Sequence, residues 1–430
     1  MKVLVVGAGF VGLTTACVLA SRGIDVTIHD ANLKKLSSIL NGETPFFEPG
    51  LENLLKKALE SGKLKSNDWS LEPDLTIIAV GTPSRSDGSI DTSHVESAID
   101  ECSRRLPAGS LVGIKSTVIP GTTRRIQNQH ISANLELLMI PEFLREGSAV
   151  NDAMTPDRNV IGARSHEVAI GAANVLGIDP ESCIITSTFS AESIKYLSNA
   201  FLATCISFTN EIFASINEDD EFEANSVITG WHSDRRFLLN KAGIAGITSY
   251  LIPGPGFGGS CFPKDIRALS ANLDASKKNS KIVDAVIETN QITLEETSKW
   301  LASQLPPTEK YILLGMGFKD DTDDTRESPS LELFKALDLI APEGFWYDQY
   351  VKELPNFGML KTASQEIIDH AKYFILMHHS DFYRELLRKR ATEMNSKDHL
   401  TVFALRYQNP ILGIKWVYPR SQLNIGEKNG

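Results

Sequence analysis

At 430 residues the chain is too long for one ordinary domain, and two or three are expected. Its 42% hydrophobic and 23% charged content suits a water-soluble globular protein, and a net charge of −11 argues against a nucleic-acid or anionic-membrane binder. Five cysteines (17, 102, 183, 205 and 261) form no CxxC pair, so neither a metal site nor a disulfide framework is expected.

No signal-peptide pattern precedes the first apolar run, and no run reaches the roughly 18 residues that span a bilayer. A cytoplasmic protein is expected. Lys2–Val6 is a short continuous apolar run, the mark of a buried parallel strand. It leads into Gly7-Ala-Gly9-Phe10-Val11-Gly12, then an alanine-rich helical stretch to about Arg22 and a second strand, Asp25–Asp30. GxGxxG alone is a weak signal. In strand–turn–helix–strand order, with Asp30 placed 18 residues after Gly12, it is a strong dinucleotide fingerprint. Gly7 makes the turn, Gly9 lets the backbone approach a pyrophosphate, and Gly12 lets helix and strand pack closely. The helix amino end supplies amide donors for the phosphates. Asp30 would accept from ribose hydroxyls and repel a 2′-phosphate, so NAD is favoured over NADP.

Further strands are expected at Leu75–Val80, Leu111–Lys115 and Leu137–Ile140. Each ends in a polar cluster: Gly81-Thr82-Pro83, Ser116-Thr117 and Pro141-Glu142. Ligands of doubly wound sheets sit at the carboxyl ends of strands, so these clusters could line one site. Ordinary turn chemistry accounts for each of them separately as well. Val160-Ile and Cys183-Ile-Ile extend the alternation, giving a first domain over residues 1–185.

Ala191–Asn217 reads as a long helix with an apolar stripe at 194, 197, 201, 205, 208, 212 and 216. Cys205 lies on that stripe as a core residue. Lys195 and Asn199 share a face beside it, where an ammonium and an amide could hold an oxyanion. From spacing alone the expected reading is a solvated helix face. The acidic run Glu218–Glu223 is a loop or frayed helix end. Gly256-Phe-Gly-Gly-Ser-Cys-Phe-Pro-Lys-Asp265 then places a thiol beside a lysine within a glycine-rich turn, which reads on its own either as a setting for a stabilised thiolate or as a Gly/Pro surface turn that contains a cysteine. A helical pattern continues to about Ser303. Strands at 310–315, 344–347, 373–377 and 400–405 form a second α/β domain. The expected fold is α/β, two Rossmann-like doubly wound domains (1–185 and 301–430) joined by a helical middle (186–300) with a long central helix.

Taken in order, these stretches resemble the UDP-glucose/GDP-mannose dehydrogenase family. The match runs through Phe47-Glu-Pro-Gly-Leu51, Val80-Gly-Thr-Pro83, Asp87-Gly-Ser89, Lys115-Ser-Thr-Val118 and Pro141-Glu-Phe-Leu-Arg-Glu-Gly147. It continues through Lys195 with Asn199, Gly256–Asp265, Phe318-Lys319 and Thr325-Arg-Glu-Ser-Pro329. The resemblance implies a two-step, NAD-dependent oxidation of a nucleotide sugar at C6 through a thiohemiacetal and a thioester on Cys261. In that scheme Lys195 and Asn199 hold the C6 oxygen. Asp265, through a water near Thr117, takes the alcohol proton, and Glu146 activates the hydrolytic water. Phe10, Val11, Lys35, Thr82, Thr117, Glu146, Lys264 and Arg326 match contacts to NAD. Glu142, Phe143, Leu144, Arg145, Tyr250, Leu251, Ile252, Pro253, Gly254, Gly258 and Lys319 match contacts to the nucleotide sugar. The resemblance also implies a homodimer or larger assembly, with the central helix as its contact.

Departures cluster in the substrate-facing half. Asp234-Arg-Arg-Phe237 is followed by a longer piece, Leu238–Ser249, so Arg236 matches a family arginine only in approximate position. Family segments like Thr-Glu-Trp and Asp-Gly-Arg-Asn read here Met377-His-His-Ser380 and Ala404-Leu-Arg-Tyr407; Arg406 is kept, the acidic residue is not. UDP-glucose is the expected substrate, with UDP-N-acetylhexosamines and GDP-mannose open. A single-step hydroxyacid-type dehydrogenase would need no Cys261, and a non-catalytic nucleotide-sugar-binding homologue would have no use for its thiol.

Overall fold

The computed structural model describes every residue except 67–71, 130–133, 217–222, 238–245, 342, 355–359, 395–398, 407, 409 and 420–430. Most of the Glu218–Glu223 run, residues 238–245 of the Leu238–Ser249 stretch, and Tyr407 lie outside the described residues. The chain forms two compact units, Met1–Ser198 with Arg267–Asn279, and Asn199–Ile266 with Ser280–Gly430.

The first unit opens with β1 (Lys2–Val6), α1 (Phe10–Ser21) and β2 (Asp25–His29). Next come α2 (Leu33–Leu40), α3 (Leu51–Glu60), β3 (Leu64–Ser66), β4 (Leu75–Ile78), α4 (Ser93–Arg105) and β5 (Leu111–Ile114). The unit continues with α5 (Thr122–Asn128), β6 (Glu136–Met139), α6 (Ala149–Met154), β7 (Asn159–Gly162), α7 (His166–Val175) and β8 (Cys183–Thr186). The strands stand in the order β3-β2-β1-β4-β5-β6-β7-β8, parallel throughout except for the β6–β7 pair. After β1 the chain builds to one side, then returns to add β4 on the other. That reversal between β1 and β4 is the topological switch point, where doubly wound sheets bind ligands.

Burial explains the continuous apolar runs. In β1, Val3 and Val5 enter the core on one face, while Leu4 and Val6 enter the core on the other. All four residues of β4 are buried. A sheet covered on both faces has no place for alternation.

The boundary between the units falls within α8 (Thr188–Ile216), a helix of 29 residues, and within α10 (Phe262–Ala275). The apolar stripe of α8 is not a core stripe. Cys205 is buried as expected, but Leu197, Phe201, Phe208 and Ile212 are exposed, Leu197 at 68%.

The second unit contains α9 (Ala224–His232), α11 (Lys281–Gln304), β9 (Tyr311–Leu314), α12 (Pro329–Asp338), β10 (Gly344–Tyr347) and α13 (Gln365–His370). It is completed by β11 (Tyr373–Leu376), α14 (Asp381–Glu393), β12 (Leu400–Ala404) and β13 (Ile414–Val417). Its five strands are all parallel, in the order β10-β9-β11-β12-β13. This is the expected second α/β sheet. The helical stretch after Asp265 is two helices, α10 and α11, divided around Lys277, whose φ of 53° no helix accommodates.

Candidate active site

The glycine turn of the first unit has the shape that a dinucleotide needs. Gly7 has φ +101°, and a Cβ there would lie 2.5 Å from the Ala79 carbonyl. A Cβ on Gly12 would meet the Gly7 carbonyl at 1.8 Å, so α1 can approach β1 only through glycine. Gly9 is different, with nothing within 4 Å of its Cβ position. The turn is therefore tight beneath and open above, at the amino end of α1, where anions are favoured. Asp30 closes the fingerprint from the end of β2. One oxygen accepts from the Ala8 amide at 2.8 Å, the other from the Asn32 amide at 2.8 Å, and Lys35 lies 2.5 Å away. Burial would raise this carboxyl, but Lys35 and the two amides hold it below its usual range. The residues present fit NAD.

At the carboxyl ends of β4, β5 and β6 the first unit gathers Thr82, Thr117 and Glu142. Thr82 is buried, and the Ser116 hydroxyl donates to the Val80 carbonyl at 2.7 Å, tying the β5 turn to the β4 turn. Glu142 and Lys195 are both buried, with Lys195 Nζ 2.8 Å from Glu142 Oε1. The Leu144 amide donates to Glu142 Oε2 at 2.7 Å. Burial alone would raise the Glu142 carboxyl. The Lys195 ammonium, the Leu144 amide and the charge of Lys115 together hold it below the usual range. The solvated-face reading of Lys195 is thus overturned: this face of α8 turns inward.

Phe143 lies beside the pair, with Lys195 Nζ 5.7 Å and Arg158 Cζ 3.9 Å from its ring centroid. Arg145 turns to Asp152 of α6 and makes two side-chain hydrogen bonds with it. Glu48, which sequence reasoning left without a role, accepts from the Gly147 and Ala149 amides at 2.7 Å each. The Phe47-Glu-Pro-Gly motif is therefore a clamp on the loop that carries Glu146. A lone glutamate in an otherwise apolar-and-turn motif was the signal available for it.

In the second unit Cys261 immediately precedes α10, whose amino end favours an anion. The Asp265 amide donates to the Cys261 carbonyl at 2.8 Å, closing the first turn. Asp265 is buried and held from two sides, with Asn199 Nδ2 at 2.6 Å and Lys264 Nζ at 2.5 Å. Asn199 therefore also faces inward. The glycines before the thiol are needed for close approach. A Cβ on Gly258 would lie 2.2 Å from the Glu327 carbonyl, and one on Gly259, at φ +83°, would meet the Phe318 ring at 2.7 Å. The loop is thereby fitted against the Thr325–Pro329 segment. Burial pushes the Cys17 and Cys102 thiols up to about 12 and raises those of Cys183 and Cys205.

The remaining candidates of this unit divide into engaged and exposed. Arg406 donates to the Ser249 carbonyl at 2.9 Å, and its Cγ lies 3.7 Å from where a Gly254 Cβ would be, so Arg406 packs on the Tyr250–Gly254 segment. Leu251 is buried; Tyr250, Ile252, Pro253 and Lys319 are half-buried. Arg326 and Arg236 are exposed and paired with Asp324 and Asp234. His378, at the departed Met377–Ser380 segment, is buried with Nε2 2.8 Å from the Gly317 carbonyl. Asp348 accepts from the Met316 amide at 2.6 Å, as Asp30 does from Ala8, so each sheet carries a carboxylate on its first glycine turn.

Residues 1–176 match the NAD binding domain of the UDP-glucose/GDP-mannose dehydrogenase family, 189–292 its central domain and 312–407 its UDP binding domain. The chain is 35% identical over 373 residues to a UDP-glucose 6-dehydrogenase of Rickettsia typhi, covering 84% of this chain and 82% of that protein. It is 34% identical to one of Pseudomonas aeruginosa, covering 78% and 76%. A UDP-glucose dehydrogenase structure from Pyrobaculum islandicum superposes with a TM-score of 0.85 at 30% identity, covering 97% and 96%. A UDP-D-ManNAc dehydrogenase structure from Pyrococcus horikoshii gives 0.81 at 25%, covering 98% and 99%. With three domains matched in order along one chain, the protein belongs to the UDP-glucose/GDP-mannose dehydrogenase family.

Proposed function

We propose that the chain oxidises the C6 alcohol of UDP-glucose twice, releasing UDP-glucuronate. The observation that carries this reading is Cys261 at the amino end of α10, one turn from an Asp265 held by Asn199. NAD, when bound, supplies the hydride acceptor for each oxidation. Asp265 takes the alcohol proton, while Lys195 and Asn199 donate to the C6 oxygen as charge develops on it. Cys261 then adds to the aldehyde: a C–S bond forms and the oxygen gains a proton, giving a thiohemiacetal. Loss of the second hydride and that proton leaves a thioester. Water activated by Glu146 adds to it, the C–S bond breaks, and the thiolate departs as the carboxylate forms.

In the same reading residues 1–185 hold NAD, 186–300 carry the cysteine loop and 301–430 hold the nucleotide sugar. Thr82, Lys264 and Arg326 serve NAD, and Phe143–Arg145, Tyr250–Gly254, Gly258, Lys319, Arg236 and Arg406 serve the sugar nucleotide. The names of the relatives support UDP-glucose. A UDP-N-acetylhexosamine is the second reading, supported by the likeness to the Pyrococcus enzyme and by the altered Met377–Ser380 segment. We further propose a homodimer through the exposed face of α8, where Leu197, Phe201, Phe208 and Ile212 form an apolar row. A cytoplasmic location fits five free cysteines. Among the described residues no helix is long and apolar enough to cross a membrane.

Thiol labelling with iodoacetamide, read by mass spectrometry, tests the central residue. Cys261 should react ahead of the other four and be protected by NAD with UDP-glucose. A slower Cys261, together with full turnover in Cys261→Ser, would remove the covalent mechanism.

A further inference from the structure

Beside Glu142 the first unit holds a cavity of about 110 Å3, lined in part by Phe143 and Leu144. Its walls are largely apolar, with Val18, Leu19, Ile77, Ile140 and Leu176 among them. Lys115 and Glu142 nonetheless face into it. Lys115 directly follows β5, two residues before Thr117, and is half-buried. Among the described residues its ammonium makes no hydrogen bond or ion pair. An ammonium in apolar surroundings is costly and persists where an opposite charge or a function requires it.

Of the other charged groups around the cavity, Asp157 is exposed and the rest have their own engagements. Asp152 of α6 holds Arg145, and Arg22 of α1 donates to the Ala153 and Met154 carbonyls. Arg158 donates to Ser198 and stacks on Phe143, and Asp157 precedes it on the approach to β7. Glu142 is the carboxylate that Lys115 feels most, and Lys195 of α8 is the second cation on it.

We infer that Lys115 is a positioning residue, whose charge shares the Glu142 carboxylate with Lys195 and so leaves Lys195 positive toward the reacting oxygen. This rests on the reading that Lys195 serves the C6 oxygen. Lys115 forms no direct ion pair with Glu142, but its charge near that carboxylate leaves the cluster net positive, whereas Lys195 and Glu142 alone would cancel. Waters in a cavity of this size, with Lys115 and Glu142 as polar partners, can carry the interaction. Burial pulls the Lys115 ammonium down to about 8, opposed by Glu142 and reinforced by Lys195. The cluster therefore loses its excess charge as pH rises past that value.

Three variants test this, with kcat and KM measured from pH 6 to 10. Lys115→Gln should lower kcat by about 10-fold or more with both KM values little changed, and abolish the alkaline fall near pH 8. Lys115→Arg should restore kcat and move that fall above the measured range. Lys115→Met should melt no lower than the parent, because it removes a half-buried charge rather than a contact. Unchanged kcat and pH profile in Lys115→Gln would overturn the inference. So would a Lys115→Arg protein as impaired as Lys115→Gln while folded. A readout independent of the sugar is acylation of Lys115 by acetic anhydride against pH in the intact protein. Its midpoint should lie near 8 and fall further in Glu142→Gln. A midpoint like that of an ordinary surface lysine would overturn the assignment even if the proposed oxidation stands, and a failed oxidation would leave this titration in place.

Discussion

Lys195 and Glu142 meet at 2.8 Å with both side chains buried, one on the long helix α8 and the other in the loop after β6. An ion pair out of water costs more to break on one side than to replace altogether. Lys195→Met should therefore destabilise the protein by about 3–5 kcal/mol, and the double variant Lys195→Met/Glu142→Gln should recover part of that loss. The pH dependence has a definite sign. The folded Glu142 carboxyl lies below its usual value of 4.5, so the pair's contribution is present above that value and lost as pH falls through the folded one. Denaturation from pH 7 to 3 should show the parent weakening more steeply in acid than Glu142→Gln. Identical acid limbs would contradict the pairing.

Asp30 accepts from Ala8 and Asn32 and carries Lys35 beside it, leaving the carboxylate fixed at the edge of the glycine turn. Losing a charged acceptor for a ribose hydroxyl costs about 1.5–3 kcal/mol, so Asp30→Ser should raise KM for NAD roughly 10–100-fold. The preference for NAD over NADP should narrow at the same time. An unchanged ratio of kcat/KM for the two cofactors would remove Asp30 from ribose recognition.

Gly258 has the closest approach of the cysteine loop, 2.2 Å from a would-be Cβ to the Glu327 carbonyl and 2.5 Å to Pro329 Cδ. Gly258→Ala should cost about 1–3 kcal/mol by overpacking and lower turnover by displacing Cys261. Gly230→Ala, in α9 with nothing within 4 Å of its Cβ position, is the control and should be neutral or slightly stabilising. Equal melting temperatures and activities for the two variants would show that the loop tolerates displacement.

Much of the fold was legible because burial and glycine geometry leave local marks. Continuous apolar runs located the strands that are covered on both faces, and Gly7, Gly9 and Gly12 with Asp30 located the cofactor turn. The edge strands β3 and β13 carried no such mark: Leu64–Ser66 is three residues long, and Ile414–Val417 alternates because one face is exposed. The α8 stripe has helical spacing whichever way it faces, so spacing could not say that Phe201 and Phe208 lie outside. The same limit hid the inward turn of Lys195 and Asn199, since their partners Glu142 and Asp265 are 53 and 66 residues away along the chain. Glu48 and Lys115 were visible only inside motifs, and their work depends on loops the chain brings to them later.

NADH formed per UDP-glucose consumed, measured for the parent beside Cys261→Ser, decides whether the thiol carries the second oxidation. Two NADH per sugar, with UDP-glucuronate as product and the second oxidation lost in Cys261→Ser, is the expected result. One NADH per sugar, or two in the absence of the thiol, would contradict a covalent four-electron oxidation at Cys261.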